Sequence, residues 1–140
     1  MSAIIVDASV AIKWVVQEEG SDAAAALASQ ALSAPTLLTV ECANVLWVKA
    51  RRGELTSAEA IERIQALLAA PVDLTSVEDL TEHAANLAFQ INHPVYDCIY
   101  LALAIRLDGK LVTADRPFAE AVQRHPDVAD RVVMLGEVWG

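Results

Sequence analysis

The sequence predicts an α/β fold with a central, mostly parallel sheet and helices on both faces. Two observations favour it. Short apolar runs such as residues 3–6 are typical of strands that are buried on both sides. These runs alternate along the whole chain with longer segments of helical spacing, and such alternation is characteristic of parallel sheets with crossover helices.

The chain has 140 residues, enough for one domain with its own core, and we expect residues 1–140 to form a single domain. It is 55% hydrophobic, with a mean hydropathy of +0.38. No apolar run approaches the roughly 18 residues of a membrane span, and the N-terminus lacks the features of a signal peptide. We therefore expect a cytoplasmic protein without membrane association, part of whose apolar surface covers a partner.

The net charge of −9 excludes a generally basic, nucleic-acid-binding surface. Any function on nucleic acid must therefore depend on a local site rather than on the charge of the whole surface. The negative net charge also fits a positively charged partner. Cys42 and Cys98 lie beside apolar residues in predicted helices, and no spacing suggests zinc, so we expect buried free thiols. The histidines are scattered and are expected at surface or capping positions: His83, His93 and His125.

The first strand, residues 3–6, is followed directly by Asp7 and then by a predicted helix at 10–16. Asp7 therefore stands where a buried strand gives way to a helix. In open α/β sheets, ligands bind in the crevice beyond the carboxyl ends of the strands. This position makes Asp7 the first candidate for a functional side chain.

Local signals predict the remaining elements. Pro35 favours an edge strand or the first position of a strand, and Thr39 is a candidate N-cap of a long helix. Thr56 and Glu59 form a capping box. The predicted helices lie at residues 21–32, 39–52, 54–69, 76–91, 97–105 and from 116 onward, and the predicted strands at 33–36, 72–75, 110–114 and 131–135. The helix at 97–105 is almost entirely apolar and is expected to be central and buried.

Each of four acidic residues has an ordinary structural explanation when it is considered alone. Asp7, Asp97 and Asp115 all stand where a helix begins, and aspartate is among the best N-caps. Glu41 lies on the apolar side of its helix, where a carboxylate is usually satisfied by a partner group.

Considered together, the four acids indicate a metal site. Asp7 and Asp115 end strands of one parallel sheet, Asp97 opens the helix before the second of these strands, and Glu41 faces inward. Without paired Lys or Arg, close carboxylates repel one another and their pKa values rise. A divalent cation removes that cost, and Mg²⁺ and Mn²⁺ prefer oxygen ligands.

Four further residues are candidates for supporting roles. Ser9 and Thr113, each two residues from an aspartate, are expected either to hold waters or ligand oxygens or to serve as ordinary capping and packing groups. Asn44 is one helical turn from Glu41 and can share its surroundings. Arg116 is placed to touch a phosphate or to pair with a neighbouring acid.

Four short motifs occur in a fixed order: IVDASV at residues 5–10, Glu41 with NVL at 44–46, YDCIYLALA at 96–104, and TADRPF at 113–118. In this order the chain resembles the PIN-domain ribonucleases over essentially its whole length. Within them it is most similar to the VapC toxins of bacterial toxin–antitoxin pairs.

The resemblance implies a three-layer α/β/α PIN-like domain that hydrolyses RNA phosphodiester bonds with Mg²⁺ or Mn²⁺. It also implies a toxin of a type II system, a cognate VapB-type antitoxin, a homodimer, and a heterotetramer or larger assembly with the antitoxin. Asp7, Glu41 and Asp97 are the expected principal metal ligands, and Asp115 is a more distant fourth. No His or Lys is needed as a general base in ion-assisted hydrolysis.

Two other functions stay open from the residues alone. One is a phospho-aspartate Mg²⁺ protein, although a phosphatase of that kind needs a second aspartate where Ser9 stands. The other is a non-catalytic PIN-like module that binds protein and keeps its acids as helix caps. Trp14 and Trp47 are expected either in the core or in a groove for the antitoxin or a second subunit.

Overall fold

The computed structural model describes residues 3–137, which form a five-stranded sheet and seven α-helices. Three short 3₁₀ turns, at Ile12–Trp14, Val77–Asp79 and Ala129–Arg131, complete the secondary structure of these residues. The strands are β1 (Ile4–Val6), β2 (Leu32–Pro35), β3 (Val72–Thr75), β4 (Lys110–Thr113) and β5 (Val132–Met134). The helices are α1 (Ala8–Ala11), α2 (Ser21–Leu27), α3 (Leu37–Arg51), α4 (Ser57–Leu68), α5 (Thr81–Ile91), α6 (Val95–Arg106) and α7 (Arg116–Gln123).

The strand order is β3-β2-β1-β4-β5, and every pair is parallel. The chain moves from β1 outward to β3 and then returns to β4 on the other side of β1. Right-handed crossovers therefore place the helices before and after β3 on opposite faces, giving three layers. This confirms the predicted α/β/α fold. The order reverses between β1 and β4, and a crevice opens at such a switch point beyond the carboxyl ends of the strands.

The core centres on β1 and α6. All of β1 is buried, and residues 98–104 of α6 are buried on every side of the helix. A helix that is apolar on every face must be covered by other elements on every side. Helix α6 contacts β1, β2, β4 and α5. The prediction of a central, buried helix is confirmed. Cys42 and Cys98 are buried free thiols, as expected.

Two predicted boundaries near β2 are wrong. The Ala-rich helix ends at Leu27, because Leu32 turns inward and pairs with Ile4 in the sheet. Pro35 is the last residue of an interior strand, not an edge or first residue. The sheet tolerates it there because pairing of β2 with β1 ends at Ser33, so no ladder partner requires the missing N–H.

Helix ends agree with the sequence at one site and differ at another. The capping box of Thr56 and Glu59 is present, with both reciprocal hydrogen bonds. Thr39, in contrast, does not cap α3. The helix begins at Leu37, and the Thr39 hydroxyl donates to the carbonyl oxygen of Thr36 inside the first turn.

The two tryptophans named as candidates have different environments. Trp14 packs partly buried against the core, and its indole N–H donates to the carbonyl oxygen of Ala24 at 2.9 Å. Trp47 is 56% exposed on α3, so the core interpretation is wrong for this residue. No helix within residues 3–137 is both long and apolar enough to span a bilayer.

Candidate metal centre

Asp7 lies directly beyond β1, 5% exposed, and caps α1. Its Oδ1 accepts hydrogen bonds from the Ser9 hydroxyl at 2.5 Å and from the Val10 N–H at 3.3 Å. Its Oδ2 accepts from the hydroxyl of Thr113 at the end of β4. The parallel register that places Val6 beside Val112 brings these two side chains together.

Ser9 and Thr113 also tie this network to the loop after β4. The Ser9 hydroxyl accepts from the Ala114 N–H at 2.8 Å, and the Thr113 hydroxyl accepts from the Asp115 N–H at 3.0 Å. Both hydroxyls therefore orient Asp7 and fix the position of Asp115.

Burial dominates the electrostatics of Asp7. It raises the pKa of this carboxyl to about 6, against the hydrogen bonds from Ser9, Thr113 and Val10 that lower it. The charge of Asp97 makes a smaller contribution to the same increase. Desolvation is thus a larger cause than the carboxylate repulsion expected from the sequence.

Glu41 reaches across from α3 to a partner on α6. Its Oε1 accepts a hydrogen bond from the hydroxyl of Tyr100 at 2.5 Å, and Tyr100 is fully buried. Burial raises the pKa of Glu41, the hydrogen bond from Tyr100 lowers it, and the charge of Asp97 raises it. The expectation that a partner satisfies this inward-facing carboxylate is confirmed.

Asp97 lies in the first turn of α6 and is not its N-cap, a position held by Pro94. The cap interpretation is therefore wrong for this residue. Its Oδ2 pairs with Nε2 of His93 at 2.7 Å, and the ring of His93 packs on Phe118 with centroids 4.9 Å apart. The expectation that His93 is a surface or capping residue is wrong, because the turn before α6 folds its ring back onto Asp97.

Asp115 caps α7, accepting from the Phe118 N–H at 3.2 Å. It lies on the same rim as Asp7, because β1 and β4 are neighbouring parallel strands.

All four acids line one open cleft of about 420 Å³. Ser9 and Asn44 line it as well, whereas Thr113 is buried beneath Asp7 and Arg116 is exposed and is not among the lining residues. The remaining lining residues are Ala8, Leu37, Val40, Val45 and Tyr96. The fold therefore gathers the four predicted acids into one site, and Arg116 is the candidate that it leaves outside.

The donor set of this cleft suits a divalent cation. Across residues 3–137, no Lys or Arg forms an ion pair with any of the four acids. Protein hydrogen bonds occupy Oε1 of Glu41 and Oδ2 of Asp97, and no described residue bonds the other oxygen of either group. Within the same residues, no three Asp, Glu, His or Cys side chains are already arranged to hold one ion. Binding would therefore require acidic side chains such as Glu41 or Asp97 to rotate.

Tyr100 and His93 are partners of the acids that were not predicted from the sequence. Tyr100 gave a usable signal, because it is the one hydroxyl-bearing residue in the otherwise apolar run 98–104. A buried tyrosine hydroxyl usually has a hydrogen-bond partner. His93 and Asp97 are four residues apart, a spacing at which two residues of one helix can pair. The helix begins only at Val95, however, so His93 lies outside it.

Comparison with known proteins finds similar sequences and a similar fold. Residues 4–123 match the PIN domain family. Over 121 residues the chain is 38% identical to Ribonuclease VapC3 from Pyrobaculum aerophilum, covering 84% of this chain and 92% of that protein. The crystal structure of PAE2754 from Pyrobaculum aerophilum superposes with a TM-score of 0.68 at 23% identity, covering 86% of this chain and 79% of that one, and supports the fold. By its sequence, the chain belongs to the PIN-domain family and is of the VapC type.

Proposed function

We propose that this protein is a Mg²⁺- or Mn²⁺-dependent ribonuclease and the toxin of a type II toxin–antitoxin pair. The observation that carries the proposal is geometric: four carboxylates from different elements, those of Asp7, Glu41, Asp97 and Asp115, line one cleft. Burial raises the pKa of Asp7 and of Glu41, and the charge of Asp97 contributes to both increases. Among residues 3–137 no Lys or Arg pairs with this cluster, whose basic partner is His93, and such an excess of carboxylates favours a divalent cation. The name of the relative Ribonuclease VapC3 supports RNA as the substrate.

Asp7, Glu41 and Asp97 would hold the ion, and Asp115 would bind it directly or through water. A bound Mg²⁺ or Mn²⁺ supplies positive charge beside the scissile phosphate and lowers the pKa of water. Ser9 and Thr113 fix the carboxylate of Asp7, and Tyr100 fixes that of Glu41. These hydrogen bonds limit the orientations of the Asp7 and Glu41 carboxylates before an ion binds.

The further parts of the proposal follow from the VapC type. We expect a VapB-type antitoxin to inhibit the enzyme, a homodimer, and a heterotetramer or larger assembly with the antitoxin. We also expect the whole chain, residues 1–140, to act as one PIN domain in the cytoplasm.

Cleavage of single-stranded RNA by the purified chain tests the proposal. We expect cleavage with Mg²⁺ or Mn²⁺, loss of cleavage in excess EDTA, and recovery when Mn²⁺ is returned. Undiminished cleavage in EDTA would refute the metal dependence. A folded chain that binds Mn²⁺ but cuts no RNA would favour the non-catalytic binding module instead.

Tyr100→Phe tests the role of the Tyr100 hydroxyl. The substitution removes one oxygen atom and leaves the packing of α6 intact, but Glu41 loses the hydrogen bond that fixes it. We expect Mn²⁺ affinity, measured by calorimetry, to fall by about tenfold or more, as for other residues that orient metal ligands.

Tyr96→Phe is the matched control on the same helix. Tyr96 also lines the cleft, but it is 66% exposed and no side-chain hydrogen bond joins its hydroxyl to an acid among the described residues. We expect its Mn²⁺ affinity to equal that of the parent. Equal affinity of Tyr100→Phe and parent would show that the hydroxyl does not position Glu41.

A further inference from the structure

One face of α3 leads out of the acidic cleft. Val40 and Asn44 line the cleft, and Trp47 and Arg51 follow on the same side of the helix. With 3.6 residues per turn, positions 40, 44, 47 and 51 fall within a sector of about 60°. All four are exposed. We call this set of residues the α3 stripe.

The outer end of the α3 stripe combines an aromatic ring with a cation. Trp47 is 56% exposed, and the guanidinium carbon of Arg51 lies 5.2 Å from the centroid of its ring. The cation–π contact holds the flat guanidinium beside the flat indole. Nucleobases stack on both kinds of surface, and such stacking tolerates any base because every base has a π-face.

The charges near Trp47 differ from those of the chain as a whole. The protein carries a net charge of −9, yet Lys49, Arg51 and Arg52 lie together at the end of α3. Lys49 is engaged by Glu18 and Glu54, whereas Arg51 and Arg52 form no ion pair with any residue between 3 and 137. Two arginines are thus available to a polyanion beside an otherwise acidic cleft.

The spacing along α3 suits a chain that enters the cleft. Asn44, which lines the cleft, and Trp47 are three residues apart on one face of α3, which is about 4.5 Å along the helix axis. A nucleotide near the one cleaved could therefore reach the ring while its phosphates pass Arg51.

We propose that Trp47 and Arg51 form a subsite for single-stranded RNA beside the cleavage site, with a base stacked on the ring or guanidinium and a phosphate bound to Arg51. The inference rests on the proposed ribonuclease function. It assigns the exposed apolar surface of α3 to RNA rather than to a protein partner.

Binding of a fluorescently labelled single-stranded oligoribonucleotide tests the subsite in a background with Asp7→Asn, which prevents cleavage. Adding Trp47→Ala is expected to weaken binding about fivefold or more, as for other base–aromatic stacks. Adding Trp47→Phe retains a ring and is expected to restore most of the affinity. Phe89→Ala is the matched control, since Phe89 is 89% exposed but does not line the cleft.

The arginine is tested in the same assay. Arg51→Gln is expected to weaken binding and to reduce the slope of log affinity against log salt by about one. Arg106→Gln removes a charge that is also exposed, in the last turn of α6, and is expected to change neither.

Cleavage by variants with Asp7 intact separates the two proposals. We expect Trp47→Ala to raise KM more for a long RNA than for a dinucleotide, since only the long RNA reaches the ring. If the parent cleaves RNA and Trp47→Ala matches it in affinity and KM, the subsite is refuted and the surface is left for a protein partner. A parent that neither binds nor cleaves RNA refutes both proposals.

Discussion

Asp7→Asn is expected to abolish RNA cleavage and, in the absence of metal, to make the folded protein more stable. Asparagine caps a helix about as well as aspartate, so α1 keeps its cap. The amide also has the size of the carboxylate and can remain bonded to Ser9 and Thr113. It carries no charge, however, and is a poor ligand for Mg²⁺ or Mn²⁺. We expect at least a hundredfold loss of cleavage, of the order seen when an essential catalytic group is removed.

The stability gain follows from the buried charge. The unfolded chain releases the Asp7 proton near pH 3.8 and the folded chain near pH 6. Between these values the folded state binds more protons, so the stability of the parent falls as pH rises through this window. The full cost above pH 6 is about 3 kcal/mol. We expect Asp7→Asn to recover about 1 to 3 kcal/mol at neutral pH and nothing below pH 3.8.

Urea unfolding at several pH values in EDTA measures this gain. Asp73→Asn is the control, because Asp73 is exposed on the edge strand β3 and should change neither stability nor cleavage. If Asp7→Asn cleaves RNA as well as the parent, Asp7 is only a helix cap.

Gly109→Ala is expected to cause the largest loss of stability. A Cβ atom at this position would lie 2.3 Å from the carbonyl oxygen of Ala3, a backbone atom that cannot move without disturbing β1. The same oxygen accepts the N–H of Lys110 at 3.0 Å, where β4 begins. We expect a loss of about 3 kcal/mol or more, together with weaker cleavage near the unfolding temperature, since β1 and β4 carry Asp7 and Asp115.

Gly53→Ala is the matched control for this substitution. Gly53 has a φ of +79° and open space around it, so alanine there meets only backbone strain of about 1 to 2 kcal/mol. Urea unfolding compares the two variants directly. A smaller loss for Gly109→Ala than for Gly53→Ala would contradict the close approach of β1 and β4.

The fold was largely predictable because its signals are local. The buried runs of β1 and β4 and the wholly apolar α6 stand out in the sequence, and strand–helix alternation determines a parallel sheet. Boundaries near β2 were not predictable in this way. Leu32 continues an Ala-rich helical pattern but pairs with Ile4 instead, so tertiary contact outweighed local propensity.

The candidate site, like the fold, was predictable only in part. Strand ends indicated that Asp7 and Asp115 share a rim, and the structure gathers Glu41 and Asp97 into the same cleft. The partners of the acids depend on contacts between distant segments. Tyr100 reaches Glu41 across 59 positions of sequence, and His93 reaches Asp97 through the turn before α6. No single-sequence pattern specifies those contacts.

Titration of Mn²⁺ into the metal-free protein at neutral pH tests the central claim most directly, namely that these carboxylates form one cation site. We predict saturable heat and a rise in unfolding temperature for the parent and for Asp73→Asn. Asp7→Asn should give neither, although it is folded and more stable than the parent. A folded parent that shows no heat and no thermal shift with Mn²⁺ would contradict the claim.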